Sequence, residues 1–277
     1  MISLIVCSRF KTCPDKFRSH IKSTIGDIPH ELIWIDNSQN QRNMCQAYNY
    51  GVRNARYDYL CFMHEDIVFH TNNWGEMALE DVKEASVGML GVQGCVYYCE
   101  STTYWTKSLF RKAHCVQMRN GIAEKITEMD YPCSNEVVAI DGMWMFVKKD
   151  VFLNGIRWDE DSFRHFHMYD MDLSMQLIQK GYKIKILEDL WIEHKSMGNF
   201  DISFYEDNKI FHQKWDEHLP VSTIEITKEV QKKSQEAAFK EICRLGKEYA
   251  LSNKRLSMWP YKIATKICLM FGQEIWK

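Results

Sequence analysis

Short apolar runs recur along the first two hundred residues, each closed by a polar or turn-forming cluster. Ser3-Leu4-Ile5-Val6-Cys7 suits a buried parallel strand, and Pro14 at the head of the next segment suits a helix start, where its missing N–H costs nothing. Glu31-Leu32-Ile33-Trp34-Ile35 reads as a second strand stopped by the turn residues Asp36-Asn37-Ser38. From Asn43 the apolar or small positions Met44, Ala47, Tyr48, Gly51, Val52 and Ala55 fall three and four apart, which defines one face of a helix. Tyr59 to Met63 and Val87 to Val92 are further buried strands. Strands alternating with helices predict an α/β fold with a doubly wound, mostly parallel sheet.

The rhythm breaks over 97–135, a polar and aromatic stretch without clear period, expected to be a long substrate loop. Val137 to Ile140 leads into Asp141-Gly142-Met143 and the apolar run to Val147, read as a buried strand whose glycine permits a close backbone approach. Leu173, Leu177 and Ile178 have helical spacing, with Asp170 or Asp172 as the expected cap and Gly181 just after the end. Lys183 to Leu187 alternates like an edge strand, and Trp191-Ile192-Glu193-His194 delivers a histidine. After Pro220 the chain reads as helical, interrupted at Asn253 and Pro260. The expected division is a catalytic domain over 1–220 and a C-terminal helical extension over 221–277.

With 45% hydrophobic and 26% charged residues among 277, the chain has the makeup of a globular enzyme and not of a disordered or fibrous protein. A net charge of −2 gives no reason to expect nucleic acid. From Ser222 onward there are 11 Lys and Arg against 6 Asp and Glu, so positive charge collects in the last segment, as a solvated helical face or as a contact with an anionic surface. Ten cysteines without a paired C-x-x-C pattern, and a start without a basic region and long apolar run, predict a cytoplasmic protein whose thiols stay reduced.

Candidate chemistry lies where apolar runs end. Tyr59 to Met63 runs into His64-Glu65-Asp66, and adjacent acids after a strand suit a hard divalent cation carrying phosphate. Asp36, Asp141, Asp170 with Asp172, and His194 stand at comparable places. In this order the set resembles the family-two, GT-A-type glycosyltransferases over residues 1 to about 220. The carrying segments are Ile33 to Ser38, the helix before the third strand, His64-Glu65-Asp66, Tyr169-Asp170-Met171-Asp172-Leu173-Ser174 and His194. Two positions depart from the family pattern: His64 replaces the first acid of D-x-D, and Tyr169 replaces the glutamate before the base.

The resemblance implies a GT-A Rossmann-like catalytic domain that moves a sugar from a nucleoside-diphosphate donor to an acceptor hydroxyl with inversion, in surface polysaccharide or glycan synthesis. It implies Mn2+ or Mg2+ held by Asp66 and His194, and Asp170 as base with Asp172 competing for that role. Arg9, Asp36, His64, Glu65, Asp141 and Gly142 are expected on the donor and acceptor sides. His167 is a secondary neighbour of the base, and Tyr97, Tyr98, Tyr104 and Trp105 could stack on acceptor sugars or pack in the core. Residues 258–271 are a candidate peripheral membrane contact near a lipid-linked acceptor, with packing against the domain or a second protomer the favoured alternative. An inactive nucleotide- or carbohydrate-binding relative is the competing class. A nucleotidyltransferase is disfavoured because Cys7-Ser8-Arg9-Phe10-Lys11 contains no glycine.

Overall fold

The structure, a computed structural model, describes residues 1–99, 110–119, 122–129, 134–196 and 202–250. Its first half contains β1 (Ile2–Ser8), α1 (Asp15–Thr24), β2 (His30–Asp36), α2 (Met44–Asn54), β3 (Tyr59–Met63), β4 (Ile67–Phe69) and α3 (Trp74–Asp81). β5 (Val87–Gly91), β6 (Gln93–Cys95), β7 (Tyr97–Tyr98), β8 (Arg111–Arg119), β9 (Ile122–Met129), β10 (Glu136–Val137), β11 (Ala139–Ile140) and β12 (Trp144–Lys148) follow. The remainder is α4 (Asp150–Leu153), α5 (Tyr169–Gln179), β13 (Lys183–Ile186), β14 (Ile192–His194), α6 (Ile202–Trp215), β15 (Val221–Ser222) and α7 (Lys228–Ala250).

A seven-stranded sheet in the order β10-β13-β5-β12-β3-β1-β2 forms the centre. Both of its faces are covered, which explains why its strands read as continuous apolar runs. Along β1, Ile5 points into one apolar layer with Tyr48 of α2 and Leu173 of α5, while Leu4 and Val6 point into the other with Phe17 of α1 and Trp74 of α3. β3 and β12 alternate in the same way, Phe62 and Met145 on the first side, Cys61 and Trp144 on the second. The α2 start has the capping box that Asn43 and Gln46 allow, each side chain bonding the other's backbone N–H.

The central sheet is mostly parallel, as expected: β13, β5, β3, β1 and β2 run the same way, and β12 runs antiparallel between β3 and β5. Three expectations are corrected. β13 pairs on both sides, with β5 and β10, and is not an edge. The stretch expected to be a loop over 97–135 contains the β8–β9 hairpin, whose β8 joins a second sheet ordered β11-β6-β8-β14-β4. α5 is preceded by Met168 at φ 60°, not capped by an aspartate side chain.

β15 pairs with β7, and Ala238 of α7 packs with Tyr97 and Cys99, so Tyr97 and Tyr98 are buried packing residues. Tyr104, Trp105 and residues 258–271 lie outside the described residues. Among the described residues no helix is long and apolar enough to cross a membrane.

Candidate metal centre and its surroundings

The parallel strands β1, β2 and β3 end on one side of the sheet, with Ser8 beside Asp36. Because β12 is antiparallel to β3, its beginning lies at that same side: Trp144 pairs with Met63, and the His64 N–H donates to the Met143 carbonyl. The Asp141-Gly142-Met143 turn is thereby laid against His64. β14 pairs with β4 so that His194 faces Ile67, one residue from Asp66. Two segments far apart in the chain, 64–66 and the β14 end, thus deliver His64, Asp66 and His194 to one point.

Their ligand atoms all lie within 4.8 Å of one another. His194 Nε2 is 3.2 Å from His64 Nδ1, 3.4 Å from Asp66 Oδ1 and 3.2 Å from Ser196 Oγ. A single ring proton satisfies only one of those neighbours. Atoms bound at about 2.1 Å to a common metal stand roughly 3.0 Å apart on an octahedral edge and roughly 3.4 Å on a tetrahedral one, and the two distances from His194 Nε2 to His64 and Asp66 match that range. Two imidazoles and a carboxylate form a donor set suited to first-row transition ions.

Burial, reinforced by the positive charge of His194, pushes the His64 imidazole down to about 4, which leaves its ring neutral and able to ligate. At His194 burial opposes charge, but the hydrogen bond its ring donates to Asp66 and the Asp141 and Asp66 carboxylates outweigh it and raise the imidazole above its ordinary value. Burial also opposes charge on Asp66, yet His194 and His64 hold its carboxyl far below the usual range.

The opposite nitrogen of His64, Nε2, is 2.9 Å from the hydroxyl of Tyr169, the first residue of α5. The next residue, Asp170, is 3% exposed; its Oδ2 accepts from Gly142 N–H at 2.9 Å and its Oδ1 from Met171 N–H at 2.9 Å. Gly142 is small for a direct reason: a Cβ there would fall 2.2 Å from the Tyr169 hydroxyl oxygen. Asp141, half-buried on the same turn, accepts from Met143 N–H.

Asp172 is separated from this group. Its buried carboxylate accepts from Trp215 Nε1 at 2.8 Å, Lys214 Nζ at 2.8 Å and Gln176 Nε2 at 2.7 Å, which spends it on joining α5 to α6. Burial still outweighs those partners and raises its carboxyl above the ordinary value. Glu65 turns toward β1, where it accepts from Ser8 Oγ and pairs with Arg9 Nε at 2.9 Å. The Arg9 side chain is 73% exposed. Asp36 Oδ1 accepts from Ser38 N–H, and hydrogen bonding from the Ser38 side chain together with this backbone bond lowers its carboxyl. The His167 ring packs edge-on against Phe204.

Tyr169 and Ser196 were not among the expected site residues. The first stood in the sequence as an unexplained departure from a family motif, and the second follows His194 by two positions along an extended segment, where side chains return to the same face.

A family model described as a glycosyltransferase-like family matches residues 5–215. No curated protein sequence matches the chain. Among solved structures, S. aureus TarS 1-349 in complex with UDP-GlcNAc is similar at 11% identity, with a TM-score of 0.50 over 99% of this chain and 93% of that one. The mannosyltransferase PcManGT from Pyrobaculum calidifontis, in complex with GDP-Man and Mn2+, is 10% identical with a TM-score of 0.47 over 99% and 87%. GalNAc-T7 with UDP, GalNAc and Mn2+ is 10% identical with a TM-score of 0.49 over 78% of this chain, which spans about half, 49%, of that one. The TarS likeness shows the GT-A arrangement of the fold.

Proposed function

The chain belongs to the glycosyltransferase-like family matched over residues 5–215, and from that premise we propose that it transfers a sugar from a nucleoside-diphosphate donor to an acceptor hydroxyl with inversion. The observation that carries the reading is the convergence of His64, Asp66 and His194 at the carboxyl ends of the sheet strands, where open α/β sheets bind ligands. These three residues would hold a divalent ion, which when bound would supply positive charge to the departing diphosphate.

The other roles belong to the chain's own side chains. Arg9, exposed at the end of β1, adds a guanidinium to the phosphate side. Asp36, partly exposed at the end of β2, is placed for the nucleoside. Asp170, in the first turn of α5, accepts the proton of the acceptor hydroxyl. Attack from the face opposite the leaving diphosphate inverts the anomeric configuration. Asp172, committed to Lys214 and Trp215, is assigned a structural part. The catalytic unit is taken as 1–220 with 221–277 as an extension. The acceptor, a surface glycan or a lipid-linked sugar, rests on the family resemblance alone.

The test is release of nucleoside diphosphate from a panel of UDP-, GDP- and CDP-sugars with Mn2+, with Mg2+ and with chelator. The expected result is metal-dependent turnover of one donor, with Asp170→Asn slowing kcat by roughly a hundredfold or more at little change in donor KM. Absence of turnover and of nucleotide binding across the panel would overturn the reading.

A further inference from the structure

The two positions at which this chain departs from the motifs it resembles, His64 in place of an acid and Tyr169 in place of a glutamate, are the two that meet, 105 residues apart in sequence and 2.9 Å apart in space. We propose that Tyr169 is a positioning residue for the metal centre, whose hydroxyl fixes the ring orientation and tautomer of His64 so that Nδ1 is offered to the cation. The proposal rests on the metal-centre reading given above.

An imidazole that ligates through Nδ1 carries its proton on Nε2, and that proton needs an acceptor. Here Nε2 faces the Tyr169 hydroxyl, while Nδ1 faces His194 and the neighbourhood of Asp66. The tyrosine is held firmly enough for this role. Its ring packs against Tyr48 at 5.7 Å and Trp158 at 6.0 Å between centroids, and the bare Cα of Gly142 closes the remaining side.

α5 therefore begins with two adjacent residues that reach two parts of the site. Tyr169 bonds His64 on the metal side, and Asp170 bonds the Gly142 N–H on the turn. Tyr48 supplies an internal control. It is equally buried and touches the same ring, but its hydroxyl has no hydrogen-bond partner among the described residues.

The experiment is titration with Mn2+ alone, followed through the EPR signal of the free ion, on native protein and on Asp66→Ala, Tyr169→Phe and Tyr48→Phe, with urea melts to establish folding. The expected result is binding by native protein, loss in Asp66→Ala, affinity reduced about ten- to a hundredfold in Tyr169→Phe and unchanged affinity in Tyr48→Phe. If native protein does not bind Mn2+, the metal-centre reading falls and this proposal with it. If native protein binds, Asp66→Ala does not, and folded Tyr169→Phe stays within twofold of native, the role of Tyr169 alone is overturned. Nitrogen-15 spectra of histidine-labelled native protein loaded with diamagnetic Zn2+ decide the matter without a variant. A proton on Nε2 of His64 supports the proposal, and a proton on Nδ1 overturns it.

Discussion

Replacing Gly142 by alanine adds one methyl group at the most crowded contact of the site. The new Cβ would lie 2.2 Å from Tyr169 Oη, 2.6 Å from Cζ and 2.7 Å from Cε2, so the ring must retreat by about 1 Å to reach ordinary contact distances. Tyr48 and Trp158 stand in its way. Overpacking of this kind costs about 1–3 kcal/mol, and loss of the Tyr169–His64 hydrogen bond about 1 kcal/mol more, for roughly 2–4 kcal/mol in all. Gly142 is not in the left-handed backbone region, so the whole cost is steric. Urea melts measure the stability loss, and Mn2+ titration measures the accompanying drop in affinity, about ten- to a hundredfold. In a Tyr169→Phe background the metal penalty of Gly142→Ala should disappear, because the hydrogen bond is already gone, while much of the stability penalty should remain because the ring carbons still clash. A Gly142→Ala variant within 0.5 kcal/mol of native, with unchanged Mn2+ affinity, would refute the reasoning.

Other variants and conditions probe separate parts of the structure. Lys214→Met leaves the buried carboxylates of Asp172 and Asp159 without their cation and should cost about 3 kcal/mol in urea melts, whereas a loss below about 1 kcal/mol would show that the pair is dispensable. Two imidazoles in the donor set should make Mn2+ or Co2+ bind at least tenfold more tightly than Mg2+ in calorimetry; equal affinities would place the ion elsewhere. His20 accepts the Phe69 N–H through Nε2, and burial together with the positive charge of His70 lowers its imidazole below 6.5. The folded state therefore favours the neutral ring: this contribution is complete above about 6.5 and fades as pH falls through that value. The stability gap between native protein and His20→Gln should narrow between pH 7.5 and 5.5, and a constant gap would contradict the assignment.

What the sequence carried was local. β1, β3 and β5 were legible because both faces of the central sheet are buried there and each strand is a bounded apolar run, and β2, the half-buried edge strand, because Leu32 to Ile35 form a short apolar run stopped by Asp36-Asn37-Ser38. α2 was legible from its three-and-four spacing. The direction of β12 was not, since a buried strand shows the same apolar run whichever way it points. The β8–β9 hairpin was hidden because β8 and β9 mix charged and apolar positions without a clear period, so that only the Asn120-Gly121 pair between them is a hairpin-turn signal in the sequence. Asp66 and His194 could be named as a pair only through the family pattern, because their meeting depends on the β4–β14 pairing. Asp170 and Asp172 looked alike as two acids at a helix start. Packing separates them, Asp170 against the Gly142 turn and Asp172 against α6, a helix that the sequence reading did not anticipate. The partnership of Tyr169 with His64 spans the same kind of distance and had no local signal.

The central claim is a metal-diphosphate site at the ends of β1, β3 and β14. Calorimetric titration with UDP, GDP and CDP, in Mn2+ and again in chelator, on native protein and Asp66→Ala, tests it most directly. The account predicts that one nucleotide binds native protein only when metal is present, and that this binding is lost in Asp66→Ala. Nucleotide binding of equal strength in chelator, or undiminished in Asp66→Ala, would contradict it.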